Sequence, residues 1–147
     1  MLNILIFGTM RKVIIAIAFM ILSIGSYAQV LEGGRAGVSL GYTNQNQVQF
    51  EIFAFNKMNI IGSFYTGVGI NNKKDTDLKS TSMNIGAGYI FSTKMYAMGI
   101  VGFRTIPNLD PEANYGVELG WIGEKMKVGF QYTKEGEIGA KIGFILF

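Results

Sequence analysis

From about residue 35 to its end, the chain alternates apolar residues with glycine and small polar ones at a period of two, in about eight runs separated by polar connections. Period two puts successive side chains on opposite faces of a strand, so each run reads as a β-strand between two different environments. The clearest run sets Thr81, Met83, Ile85, Ala87, Tyr89 and Phe91 against Ser80, Ser82, Asn84, Gly86 and Gly88. Runs over 113–121, 126–132 and 137–147 are almost as regular, and two more cover 35–43 and 47–54. The run over 59–70 is noisier, and the one over 95–104 is apolar on both faces, so the pattern does not set its register. No stretch of this part of the chain shows helical periodicity. Connections at Asn56-Lys57, Ser92-Thr93-Lys94 and Gly123-Glu124 are tight, whereas Asn71 to Lys79 and Thr105 to Glu112 are long and polar.

Eight short antiparallel strands can close as a soluble barrel with the oily face inward or as a membrane barrel with that face outward. The face opposite the apolar one decides. In a soluble barrel it would meet water and carry many charged residues. Here it is occupied by Gly37, Gly41, Gly67, Gly86, Gly116, Gly129 and Gly143, interspersed with Ser, Asn and Gln. Small side chains suit the cramped interior of an eight-stranded barrel, and the other face would be a large exposed apolar patch on a soluble monomer. The expected fold is therefore all-β, an eight-stranded antiparallel up-and-down transmembrane β-barrel. Strands of about 10 residues tilted near 40° span about 25 Å, the height of the apolar band of such barrels.

Ahead of the strands, Met10-Arg11-Lys12 is followed by an apolar run from Val13 to Ile24 and then Ser26-Tyr27-Ala28. A basic start, a short apolar core and small residues at −3 and −1 make a secretory signal peptide. Twelve apolar residues fall well short of the roughly 20 needed to cross a bilayer as a helix. The domain organisation expected is thus a signal peptide over 1–28, removed after Ala28, and a barrel domain over 29–147, with Met10 an alternative start to Met1. Losing Arg11 and Lys12 takes the 13 basic residues to 11 against 10 acidic ones, so the mature chain is nearly neutral and no basic stripe points to nucleic acid.

The chain has 0 His and 0 Cys. Without imidazole or thiol it can build no Ser-His-Asp triad, Cys nucleophile or structural zinc site, and no catalytic residue, metal or cofactor is expected. The pair Asp75 and Asp77 offers oxygen ligands of the kind calcium prefers, but Lys73, Lys74 and Lys79 surround it and the rest of a calcium-loop signature is missing. Gly67-Val68-Gly69 neither opens a helix nor completes a phosphate-loop spacing, and reads as strand.

Two groups of side chains follow from the barrel. If odd residues of the first, second, seventh and eighth strands and even residues of the sixth face inward, the lumen receives Arg35, Glu51, Glu118, Lys127, Lys141 and Glu137. Counting back through the turns places Lys141 opposite Gly129 and Gly129 opposite Glu118, so that Gly129 leaves a gap across which Glu118 and Lys141 meet. Paired charges of this kind plug a lumen and avoid isolated buried ions. Amphipathic rings favour the membrane interface, which predicts an aromatic girdle. With both termini on the periplasmic side, Phe55, Phe91, Tyr96, Trp121, Phe144 and Phe147 fall near one rim, and Tyr42, Phe103, Tyr115 and Tyr132 near the other.

The leader ending Ser26-Tyr27-Ala28, the alternating strands and the final Gly143-Phe144-Ile145-Leu146-Phe147 together resemble the small outer-membrane β-barrels of the OmpA/OmpX-like family over about Arg35 to Phe147. The resemblance implies the outer membrane of a Gram-negative bacterium, and a C-terminal strand read by the barrel assembly machinery through its terminal aromatic. Phe147 departs from that pattern, because Ile138, Ala140, Ile142 and Phe144 are apolar on the other parity. The function expected is a small non-enzymatic barrel with a structural, adhesion or surface-interaction role and a plugged polar lumen. Its partners would be outer-membrane lipids, lipopolysaccharide and a surface ligand at loops 71–79 and 105–112. The alternative is a soluble periplasmic or secreted barrel carrying an apolar ligand. A membrane-embedded lipid-modifying enzyme would have to work with Ser and carboxylates alone.

Overall fold

Eight antiparallel strands follow one another round a closed cylinder, each bonded to the next in sequence and the last to the first. The structure, a computed structural model, describes residues 34–71, 78–105, 109–134 and 136–146. The leader, Asp75-Thr76-Asp77 and Phe147 lie outside the described residues. The strands are β1 (Arg35–Thr43), β2 (Gln47–Phe55), β3 (Ile60–Asn71), β4 (Leu78–Ile90), β5 (Met95–Thr105), β6 (Glu112–Ile122), β7 (Met126–Thr133) and β8 (Ile138–Ile145). We call the end where β1 begins and β8 finishes the terminal rim, and the opposite end the loop rim.

The register fixes the shape of the cylinder. Starting at Arg35 and stepping between paired residues through Phe55, Ile61, Gly88, Met98, Glu118, Gln131 and Gly139 returns to β1 at Thr43, eight residues beyond the start. Eight strands with a stagger of eight tilt by about 36° and enclose a space of the size that side chains fill.

Four of the connections share one geometry. Asn46, Asn59, Lys94 and Gly136 each donate a backbone N–H to the carbonyl three residues earlier, on Thr43, Asn56, Phe91 and Thr133. Each of the four has positive φ, between 56° and 72°. This is the hairpin turn that ends in a left-handed residue. Asn and Gly tolerate that conformation and lysine does not, so Lys94 carries the local strain. The β6–β7 turn differs: the Gly123 N–H donates to the Met126 carbonyl at 2.8 Å, and the register that follows pairs Gly120 with Gly129 and Glu118 with Gln131. The expected juxtaposition of Gly129 and Glu118 is therefore corrected by two residues, because the two-residue loop is Glu124-Lys125, one position later than Gly123-Glu124. Lys141 does lie opposite Gly129.

The outer wall is apolar from rim to rim. Leu40, Val48, Ile85, Val101, Leu119 and Phe130, from six different strands, are each 55–60% exposed. Such a surface is matched by hydrocarbon and would aggregate in water.

The interior is graded along its axis. Near the terminal rim it is greasy: Phe53, Ile61, Ile90, Tyr96, Met98 and Ile122 form a buried cluster, with Phe55 and Ile145 packed against it. At this end these residues replace the small-residue and ionic filling that the alternation suggests. Bulk and absence of bulk face each other here. The Phe53 ring lies over Gly37 and Gly143, where an added Cβ would meet it at 2.5 and 3.0 Å. Charged residues fill the middle, and Gln47, Gln49, Ser82, Asn84 and Asn114 line the part nearer the loop rim, all buried.

Candidate functional site in the lumen and at the two rims

Four buried ions meet at mid-lumen, brought there by β2, β6, β7 and β8. The Lys127 ammonium donates to Glu51 Oε2 at 2.6 Å and to Glu118 Oε1 at 2.8 Å. Lys141 donates to Glu118 Oε2 at 2.7 Å and stands 3.7 Å from Glu51 Oε1. The quartet is two carboxylates and two ammoniums, so its formal charge is zero. Its side chains are no more than 1% exposed, and in so dry a place neutrality matters because an uncompensated ion costs several kcal/mol. The Ser39 hydroxyl donates to Glu51, and the Tyr96 hydroxyl donates to Glu118 Oε1 at 2.6 Å. Aromatic faces complete the cage: Lys127 lies 4.9 Å from the Phe53 ring centre and Lys141 3.6 Å from that of Tyr65, within cation–π range.

Glu137 belongs to a second pair. Arg104 Nη2 donates to Glu137 Oε2 at 2.5 Å and Arg104 Nη1 to Gln45 Oε1 at 2.6 Å, while Gln131 donates to Glu137 Oε1 at 3.3 Å. Arg104 is the functional-looking residue that sequence reasoning missed. It sits on β5, whose two apolar faces hide the phase. Its neighbour Phe103, expected in the outward girdle, already implies by alternation that Arg104 turns inward. Arg35 joins neither group. It lies half-buried at the terminal rim and donates to the backbone carbonyl of Glu124 at 2.5 Å.

The girdle needs two corrections. Tyr96 is 1% exposed and points inward. Its ring occupies the room left by Gly120, where a Cβ would come within 2.7 Å of it, and its hydroxyl reaches over Gly129 to Glu118. Phe55 also faces inward and closes the terminal end of the buried cluster. On the outer wall, Phe91, Trp121 and Phe144 stand near the terminal rim, joined by Tyr89, whose ring meets Phe91 edge-on at 5.7 Å. Tyr42, Phe103, Tyr115 and Tyr132 stand near the loop rim, all exposed. Among the described residues every outward Tyr or Trp lies near a strand end, and the outward rings at mid-height, Phe50, Phe64 and Phe130, carry no polar atom. The polar tips find partners beyond the strands: the Tyr42 hydroxyl donates to Asn46 Oδ1 at 2.7 Å, and the Lys134 ammonium lies 5.7 Å from the Tyr115 ring centre. Interfacial anchoring predicts this sorting, and strand propensity alone does not.

Among solved structures, the outer membrane protein Ail of Yersinia pestis in a phospholipid bilayer nanodisc is similar to this chain with a TM-score of 0.55. Identity is 15%, and the match covers 77% of this chain and 99% of Ail. The chain has the fold of the small eight-stranded outer-membrane barrels. The N-terminal β-barrel domain of Pseudomonas aeruginosa OprF is also similar, at 16% identity, 77% and 96% coverage and a TM-score of 0.49. No protein-family model and no curated protein sequence matches. As a transmembrane barrel, the chain presents its hydrocarbon-facing wall to lipid and keeps its ions inside. Its eleven-residue strands β5 and β6, at about 3.3 Å per residue and a tilt near 36°, extend about 29 Å, enough to cross the apolar band.

Proposed function

We propose that this protein is a non-enzymatic barrel of the Gram-negative outer membrane, with a plugged lumen and a structural or surface-interaction role carried by its loop rim. The observation that carries the reading is the pairing of a lipid-matched exterior, whose polar aromatic rings among the described residues stand at its two ends, to an interior filled by ion pairs and a greasy seal. Loops do the recognising in such architectures. Of the two long ones, the described part of 105–112 is exposed, with Leu109 62% accessible. An apolar residue held out in water at a loop tip suits contact with another molecule at the cell surface. The solved barrel most similar in fold among those named is itself an outer membrane protein, which supports the location. Removal of residues 1–28 on export and use of the C-terminal strand by the assembly machinery belong to the same proposal.

A soluble carrier of apolar ligands would need an oily, open lumen. This one is crossed by charges and closed by Phe55, Ile90, Ile122 and Ile145, so that reading has no observation in its favour. Envelope fractionation tests the proposal. The protein should partition with the outer membrane, require detergent for extraction, migrate faster unheated than boiled, and support no steady ion conductance in planar bilayers. Recovery in the soluble periplasmic fraction without detergent would overturn it, and protease shaving of intact cells at the 105–112 loop would check the orientation.

A further inference from the structure

The plug is set back from the terminal rim and leaves an open bowl of about 400 Å³. Its floor is the greasy end of the lumen, Phe55, Ile90 and Ile122, and its edge carries Arg35, Lys57 and Lys94 against one acid, Glu124. Neither the quartet nor the loop rim accounts for it. We propose that this bowl binds a small amphiphilic carboxylate, with its aliphatic chain on the apolar floor and its anionic head between Lys57, Lys94 and Arg35.

Three properties point to that chemistry. The volume lies within the range of small-ligand pockets, about 300–1,000 Å³, and is too small for a folded partner. The charge at the edge is one-sided: Lys57 and Lys94 are exposed and join none of the ion pairs among the described residues, while Arg35 is drawn across the mouth to the β6–β7 turn by its bond to the Glu124 carbonyl. An anion placed there meets two ammoniums without having to break an existing pair. Finally, the apolar floor faces along the barrel axis toward water, and the outward rings of Tyr89, Phe91 and Trp121 stand on the other side of the wall. A bilayer lipid cannot slide in sideways, so the ligand must arrive from solution, which favours a monomeric amphiphile of modest chain length.

The wall of the bowl contains its own reporter. The Trp121 indole folds over Gly123, which lines the bowl, and the chain has 1 Trp. The full chain, folded in nanodiscs of zwitterionic lipid, is titrated with octanoate while Trp121 emission is followed, and the response of empty discs is subtracted. A saturable emission change is expected. Octanol, which has the tail without the charge, and acetate, which has the charge without the tail, should give none at the same concentrations. Lys57→Gln with Lys94→Gln should weaken octanoate binding at least tenfold while leaving the unheated gel mobility unchanged. Lack of saturation by octanoate in the wild-type chain overturns the proposal without reference to any variant, as does an equal response to octanol or an undiminished response in the double variant. The same emission change produced by anionic phospholipid in the disc would assign the bowl to bilayer lipid. Saturation only by an apolar peptide ending in a free carboxylate would assign it to a protein partner. Either result also refutes the small-amphiphile assignment.

Discussion

Glu118 is the branch point of the lumen network, and its removal tests whether the four ions act as one neutral unit. It accepts hydrogen bonds from Lys127, Lys141 and Tyr96 at 2.8, 2.7 and 2.6 Å. Glu118→Gln leaves two ammoniums facing the single carboxylate of Glu51, an excess positive charge at a site the solvent does not reach. Breaking a buried pair in this way costs about 3–5 kcal/mol. Lys141→Met leaves the opposite imbalance and should cost a similar amount. The double variant is neutral again, because Glu51 and Lys127 remain in contact at 2.6 Å, and exchanging a well-packed ion pair for neutral groups is often nearly free. It should therefore lose only about 1–3 kcal/mol, which implies a coupling of at least about 3 kcal/mol between the two sites. Urea titrations of protein refolded into lipid vesicles, read by Trp121 emission and by unheated gel mobility, give the four stabilities of the cycle. Additivity within about 0.5 kcal/mol would refute the reasoning and reduce the quartet to independent contacts.

Other outcomes follow from single features. Lys94→Gly should raise stability by about 0.5–1 kcal/mol, since it relieves a left-handed lysine at φ 64°; a lower urea midpoint would contradict the turn assignment. Gly129→Ala should destabilise by about 1–3 kcal/mol, because its Cβ would sit 2.7 Å from Glu118 Oε1, and the same titration measures it. Phe130→Arg, at mid-height on the outer wall, should cost about 2–4 kcal/mol in a bilayer, against about 0–1 for Tyr132→Arg near the rim. Equal costs would mean that hydrocarbon does not bathe that wall.

Where the two faces of a strand differed in kind, the sequence was readable. Glycine against Val, Leu and Phe on β6 and β7, or serine and glycine against Met and Ile on β4, gave away both the strand and its phase. On β5 the signal vanished, because Tyr96, Met98 and Ile100 fill the lumen while Val101 and Phe103 meet lipid, and a hydrophobic count cannot separate two greasy destinations. Tyr96 and Arg104 were both obscured for that reason. Phe55 reads as a girdle ring in the sequence because a strand end is a rim for inward and outward residues alike. The register difference between β6 and β7 has a different origin: a turn's position depends on which carbonyl the Gly123 N–H finds, and residue types alone do not specify that choice.

The ion quartet draws its members from both ends of the polypeptide. Glu51 arrives on the second strand, whereas Glu118, Lys127 and Lys141 come from the last three, with the β1–β8 seam between the two groups. Until that seam zips shut, the early half holds an unmatched anion and the late half a surplus cation, each facing a lumen that has begun to dry. A half-closed ribbon is thus penalised at both of its free edges, and the cylinder should form in an all-or-none step. In this chain the charges at its centre serve as a clasp that only the finished ring can fasten.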